Sequence, residues 1–198
     1  MKYNPAIHHR HSIRLKGYDY SQTGAYFITV CTHNRECLFC FINDDEITTN
    51  EYGDIVRREW MKTPEMRANV ELDEFIIMPN HVHGIIMINE CRGVLQYAPT
   101  KTQTKHETKF QSPSNTIGAI IRGFKSAVTR QINEMRQTPG VPIWQCNYYE
   151  HIIRNDDELN RVREYIINNP INWQTDENNP VGASPCACPG YDSKEIYS

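Results

Sequence analysis

Two histidines and one tyrosine carry the chemistry this sequence can offer. His81 and His83 lie in Met78-Pro79-Asn80-His81-Val82-His83-Gly84, between apolar runs at 75–78 and 85–88. A Pro-Asn turn between two such runs predicts two antiparallel strands. Alternate side chains share a face of a strand, so the two imidazoles project together, about 7 Å apart, while Val82 projects the other way. Such a pair can converge on one divalent cation, which polarises a phosphoryl or carbonyl oxygen. It can equally be two ordinary strand histidines. Further on, Tyr165 and Asn169 are four residues apart and share a helix face, with Arg161 one turn earlier. A tyrosine on the exposed side of an amphipathic helix needs no chemical role by itself.

The elements that must position these residues follow from periodicity. Residues 25–32 are β-branched and aromatic and predict a strand, which 38–42 is expected to continue in the same sheet. A helix over 50–66 carries Tyr52, Ile55, Val56 and Trp60 at helical spacing, with Asn50 as its cap and Pro64 ending or kinking it. The two strands around the histidines begin near Val70. A second helix over 116–136 has the stripe Ile117, Ile120, Ile121, Phe124, Val128, Ile132 and Met135. A strand over 142–153 and a last helix through Leu159, Val162 and Ile166 complete the chain. Asn155 and Glu158 stand in capping-box positions at its start, and Pro170 stops it. This order predicts an α+β, ferredoxin-like or RRM-like antiparallel sheet with two helices on one face, plus an added C-terminal helix carrying the tyrosine. One domain over 1–173 is expected, with a basic arm at 1–24, a polar mobile loop at 89–115 and a tail at 174–198.

Composition narrows the class. The chain has 198 residues, net charge −3 and 39% hydrophobic residues, with mean hydropathy −0.63. No apolar run approaches a membrane span, and the N-terminal residues lack an apolar signal core, so a cytoplasmic location and no membrane partner are expected. Acidic overall, the chain still concentrates base at 1–20 and 91–137. On the second helix Arg122, Lys125 and Thr129 share a face suited to phosphate or simply to water. The seven cysteines are odd in number. A zinc knuckle from Cys37, Cys40, Cys186 and Cys188 is conceivable, but reduced thiols are the simpler expectation.

Several segments together resemble the HUH single-tyrosine transposases, in the REP-associated tyrosine transposase branch. They are Leu15-Lys16-Gly17-Tyr18-Asp19-Tyr20, Gly24-Ala25-Tyr26-Phe27, the Pro-Asn-His-Val-His-Gly stretch, Trp144-Gln145, Tyr148-Tyr149-Glu150-His151-Ile152-Ile153-Arg154-Asn155 and Tyr165-Ile166-Ile167-Asn168-Asn169-Pro170. The resemblance covers roughly residues 10–173. It implies that His81 and His83 are metal ligands, that Tyr165 is the nucleophile, and that Asn169 stands where a third ligand comes from the nucleophile's helix. Many relatives have Gln there. It further implies Mg²⁺ or Mn²⁺, and two imidazoles with an amide oxygen suit Mn²⁺ better. The implied reaction cuts single-stranded DNA beside a hairpin, such as a palindromic repeat, through a 5′-phosphotyrosine, and rejoins it without ATP. Arg10, Arg14, Lys16, Arg122 and Lys125 are the candidates for DNA contact. His151 is expected near the site as a supporting residue, and Tyr148 and Tyr149 are rival nucleophiles. The protein would act as a monomer or a homodimer. The competing readings are a non-catalytic, domesticated DNA-hairpin-binding protein and an unrelated metal-dependent hydrolase. The hydrolase would want more carboxylates, and none follows His83 before Glu90.

Overall fold

In the computed structural model, residues 22–43, 46–89, 116–176 and 178–179 are described. Four strands form an antiparallel sheet: β1 (Gly24–Cys31), β4 (Val70–Ile77), β5 (His81–Ile88) and β6 (Tyr149–Ile153). Their spatial order is β4-β5-β1-β6, with β1 and β5 central, which is the ferredoxin-like arrangement. Between β1 and β4 the chain makes a separate hairpin of β2 (Cys40–Asn43) and β3 (Glu46–Thr49), then α1 (Glu51–Met61) and the single turn α2 (Thr63–Met66). α3 (Ile117–Arg136) joins β5 to β6, and α4 (Asp156–Ile167) follows β6.

Strand alternation divides the sheet into two faces. Tyr26, Ile28 and Val30 of β1 and Val82, Ile86 and Ile88 of β5 are buried together with Ile55, Val56 and Trp60 of α1 and Ile117, Ile120, Ile121, Phe124, Val128 and Ile132 of α3. Gly84 belongs to this face because nothing larger fits. A Cβ there would lie 2.4 Å from the Trp60 ring. On the opposite face Ile85, Ile153 and Ile166 form a smaller cluster with Phe27, Ile76, Leu159 and Val162, and this is where α4 packs. Full burial of an isoleucine such as Ile166 contributes roughly 1.5–3 kcal/mol to holding that helix down.

Local signals behave largely as their chemistry requires. The Asn50 side chain accepts from Tyr52 N and Gly53 N, both at 3.0 Å, and Thr116 caps α3 through Ala119 N. Asn155 accepts from Glu158 N at 2.8 Å, but the Glu158 carboxylate reaches Arg154 N, also at 2.8 Å, so the capping box closes one residue early.

Other expectations are corrected. The helix over 50–66 is interrupted at Lys62, with Pro64 in the first turn of α2, where its missing N–H costs nothing. Residues 38–42 do not continue the main sheet: Leu38 N and Phe39 N donate to the Pro79 carbonyl, and Cys40–Ile42 pair with β3. Met135 is 48% exposed, the end of its stripe having run past the core. The last strand starts at Tyr149, not Pro142. Before it, only Trp144 pairs, in an isolated bridge to Thr32. The carbonyls of Gln145, Cys146 and Asn147 turn instead to the Lys125 ammonium. Among the described cysteines Cys31, Cys40 and Cys146 are free, whereas Cys37 is disulfide-bonded, against the reduced-thiol expectation. Most of the arm (with Arg10, Arg14 and Lys16), most of the 89–115 loop, and Cys186 and Cys188 lie outside the described residues. Among the described residues no helix is long and apolar enough to cross a membrane.

Candidate active site

His81 and His83 open β5 on the α4 face, 0% and 2% exposed, with ring centroids 4.4 Å apart. Each ring is held through Nδ1. Asn80 supplies the acceptor for His81, its Oδ1 lying 2.9 Å from His81 Nδ1. The orientation of that amide is set from its other end, where Asn80 Nδ2 donates to the carbonyls of Arg35 (3.1 Å) and Asn178 (2.7 Å). A carbonyl oxygen can only accept, so His81 carries its proton on Nδ1 and presents a bare lone pair at Nε2. That Nε2 is buried and has no hydrogen-bond partner among the described residues. Thr29, directly across the ladder from His83, places Oγ1 2.8 Å from His83 Nδ1. Partners of this kind fix the rings of metal-ligating histidines.

Burial pushes His81 down to about 3, with the Arg35 charge adding to the effect and the nearby Asn169 side chain opposing it. His83 is likewise pushed well below its ordinary value by burial and by His81, with Asp176 opposing. Both imidazoles are therefore neutral at physiological pH, the state in which they can ligate a metal.

The last helix delivers the tyrosine. Tyr165 Oη lies 3.4 Å from His83 Nε2, and the Tyr165 ring meets the edges or faces of both His83 (5.3 Å between centroids) and Phe27 (5.9 Å). Phe27 in turn stacks on His83 at 5.3 Å. α4 is clamped at two places. Arg163 Nε donates to Asp73 Oδ1 at 2.9 Å and Nη2 to Oδ2 at 2.5 Å, beside the irregularity between Leu72 and Phe75 in β4. At the other end Glu158 pairs with His151 of β6 at 2.7 Å. Each of these carboxylates is drawn below its usual range by its partner.

Asn169 falls beyond the end of α4, which stops at Ile167, so its place is set by the turn before and around Pro170 rather than by helical spacing. It is 1% exposed, its Oδ1 is buried with no hydrogen-bond partner among the described residues, and its Nδ2 donates to Asp176 Oδ2 at 3.2 Å. Asp176 itself was not anticipated. One ligating atom each from His81, His83 and Asp176 lie within 4.8 Å of one another. The segment carrying Asp176 folds back over the histidines. Trp173 lies beside His81 at 5.9 Å, and Asn178 ties to Asn80 and to the Cys31 thiol. Two bare or bare-able imidazole nitrogens, an orphaned amide oxygen and a carboxylate form a donor set that fits a divalent cation.

The remaining candidates are spread out. Of the rival nucleophiles, Tyr148 packs against the α1–α3 core, whereas Tyr149 faces the site side and makes a T-shaped contact with Phe27, 6.2 Å between centroids. His151, on the same side as Tyr149, is spent on Glu158. Arg122 is exposed on α3. Lys125 is half-buried against three carbonyls, and burial lowers its ammonium below the usual value. Thr29, Asn80 and Asp176 are the residues that sequence reasoning missed. Asn80 alone had a local signal, its adjacency to His81.

The structure is thus a ferredoxin-like sheet with paired histidines on one strand beneath a helix that carries a tyrosine. No protein-family model matches the chain. A Haemophilus influenzae relative that carries only the name "Uncharacterized protein" is 44% identical over 181 residues, 89% of this chain and 96% of that protein. A second protein of the same organism, "Putative REP-associated tyrosine transposase", is 26% identical over 156 residues, 77% of this chain and 73% of that one. A solved REP-associated tyrosine transposase, bound to a REP hairpin, superposes with a TM-score of 0.54 at 20% identity, covering 81% of this chain and 74% of that one. The chain belongs to the same family as the 44%-identical Haemophilus protein, and it resembles the REP-associated tyrosine transposases in sequence and in fold.

Proposed function

We propose that this chain is a metal-dependent tyrosine transposase that nicks and rejoins single-stranded DNA beside a hairpin. One observation carries the reading: Tyr165 Oη stands 3.4 Å from His83 Nε2, at the edge of a buried cluster whose other donors, His81 Nε2 and Asn169 Oδ1, have no hydrogen-bond partner among the described residues. His81, His83, Asn169 and Asp176 are the residues that would hold Mg²⁺ or Mn²⁺. When bound, that cation withdraws charge from phosphoryl oxygens and so favours attack at phosphorus.

The chain's own part is positioning. A phenol with a pKa near 10 is a weak nucleophile at neutral pH, so orientation must supply much of the rate. Phe27 and His83 hold the Tyr165 ring, Ile166 anchors the turn beside it, and Asp73 and Glu158 clamp the helix at either side. Tyr165 Oη forms a bond to phosphorus and loses its proton. The bond from phosphorus to the 3′ oxygen breaks, and that oxygen leaves as a 3′-OH. Attack on the phosphotyrosine by another 3′-OH restores a phosphodiester and frees the phenol, with no net change in bond type and no need for ATP.

The hairpin substrate is taken over from the similar proteins. Arg10, Arg14, Lys16 and Arg122 are proposed phosphate contacts, while Lys125 serves the 145–147 segment. Tyr165 as the nucleophile and the domain at 1–173 belong to the same reading, and the bonds of Asp176 and Asn178 extend the folded unit to Asn179.

The test is a covalent-adduct assay. The protein, labelled single-stranded hairpin DNA and Mn²⁺ are run on a denaturing gel. An adduct is expected that vanishes with EDTA and falls by at least about 10³-fold in Tyr165→Phe. An adduct surviving that substitution overturns the nucleophile. Binding without an adduct across a broad hairpin set supports the non-catalytic hairpin binder instead.

A further inference from the structure

We infer that Tyr149 and Phe27 form a stacking subsite for an unpaired nucleobase beside Tyr165. The subsite would read single-stranded DNA flanking the hairpin, and the inference rests on the function proposed above.

The placement is the first argument. Tyr149, Phe27 and Thr29 lie on the site face of adjacent strands, with Tyr149 directly across the ladder from Thr29. Thr29 holds His83, and Phe27 is the ring shared by His83, Tyr165 and Tyr149. One phenylalanine thus separates the Tyr149 ring from the nucleophile.

The second argument is exposure. α4 packs against β4, at the far edge of the sheet from β6. Tyr149 is left 49% exposed and Tyr165 47% exposed on the same face. The contact with Phe27 is T-shaped, at 69°, so the two rings are not stacked on each other and at least one face of Tyr149 stays clear of Phe27. Among the described residues the Tyr149 hydroxyl makes no hydrogen bond that would explain a tyrosine at this place.

The third argument is chemical. Bases in a single strand present π-faces that duplex DNA hides, and aromatic side chains on an open antiparallel sheet are a recurrent platform for them. A phosphodiester that reaches Tyr165 Oη brings its neighbouring base within range of rings packed around Phe27. Stacking would hold the strand in register with the nucleophile, and it requires the ring of Tyr149 but not its hydroxyl.

Binding of the full chain is measured by fluorescence anisotropy on two probes: a blunt hairpin, and the same hairpin with a short unpaired flank on either side. A 2-aminopurine in the flank reports stacking through quenching. The wild type should bind the flanked hairpin more tightly and quench the 2-aminopurine. Tyr149→Phe should match it within about twofold. Tyr149→Ala should bind the flanked probe about 5- to 100-fold more weakly, leave the blunt hairpin unchanged and lose the quenching. Unaltered flank binding in Tyr149→Ala overturns the subsite, and so does a Tyr149→Phe variant as weak as the alanine. Equal wild-type affinity for blunt and flanked hairpins overturns the subsite alone. Failure to bind either probe overturns the proposed function with it. Thermal melting of both variants checks that the half-exposed position has left the fold intact.

Discussion

The two faces of the sheet are built from alternate residues of the same strands and are put to opposite uses. Under α1 and α3, Tyr26, Ile28, Val30, Val82, Ile86 and Ile88 bury side chains against Trp60, Phe124 and the isoleucines of α3. Under α4 the intervening positions are Phe27, Thr29, His81, His83 and Ile85. There two imidazoles are buried as deeply as any core residue, one with a nitrogen left without a partner. The first face lowers the free energy of folding. The second gives some of it up, because burying unsatisfied polar groups is costly. Stability and chemistry are thus separated by one residue step along β5.

That separation can be broken or sharpened experimentally. The largest stability effect should come from the helical face. Trp60→Ala removes a fully buried indole that packs over Gly84, and should cost about 3–5 kcal/mol in chemical denaturation. The fraction that remains folded should still form the Tyr165 adduct. Loss of the adduct in correctly folded protein would mean that the faces are not independent.

Acid should act on the other face. His81 titrates near 3 when folded against 6.5 ordinarily, and His83 is lowered in the same direction. Below pH 6.5 the unfolded chain takes up protons that the folded one refuses. The stability of the metal-free protein is therefore full above that pH and falls as pH drops towards 3, by about 1.4 kcal/mol per pH unit for His81, with His83 adding in the same direction. The double substitution His81→Gln and His83→Gln should flatten this slope. An unchanged slope would move the acid sensitivity to other groups.

The smallest effect on stability, and the most selective one, belongs to the clamp. Arg163→Ala removes a partly exposed ion pair and should leave the melting temperature nearly unchanged. By loosening α4 it should slow adduct formation roughly tenfold or more, since small displacements of a nucleophile are expensive in rate. An unchanged adduct rate would show that Ile166 and the aromatic contacts alone hold Tyr165.

What could be read from the chain without its fold was whatever depends on near neighbours. The cofacial His81 and His83 follow from the two-residue strand period, the caps at Asn50 and Asn155 from side-chain chemistry within three residues, and the stripe of α3 from helical spacing. The order of these elements was enough for the ferredoxin-like sheet. Short-range rules failed where a distant partner decided. Residues 142–148 have strand composition, but only Trp144 makes a bridge, and Lys125, some twenty positions away, takes the carbonyls of 145–147. Tyr148 and Tyr149 were equivalent until packing laid one, partly buried, against the helical core and left the other on the open face. The proton on His81 is placed by Asn80, whose amide is oriented by Arg35 and Asn178, and Asp176 reaches the histidines across more than ninety residues of chain. Residue types and their local periods determine which groups can share a face. Only the tertiary structure brings the groups of different elements within the few ångströms over which hydrogen bonds and ligation act.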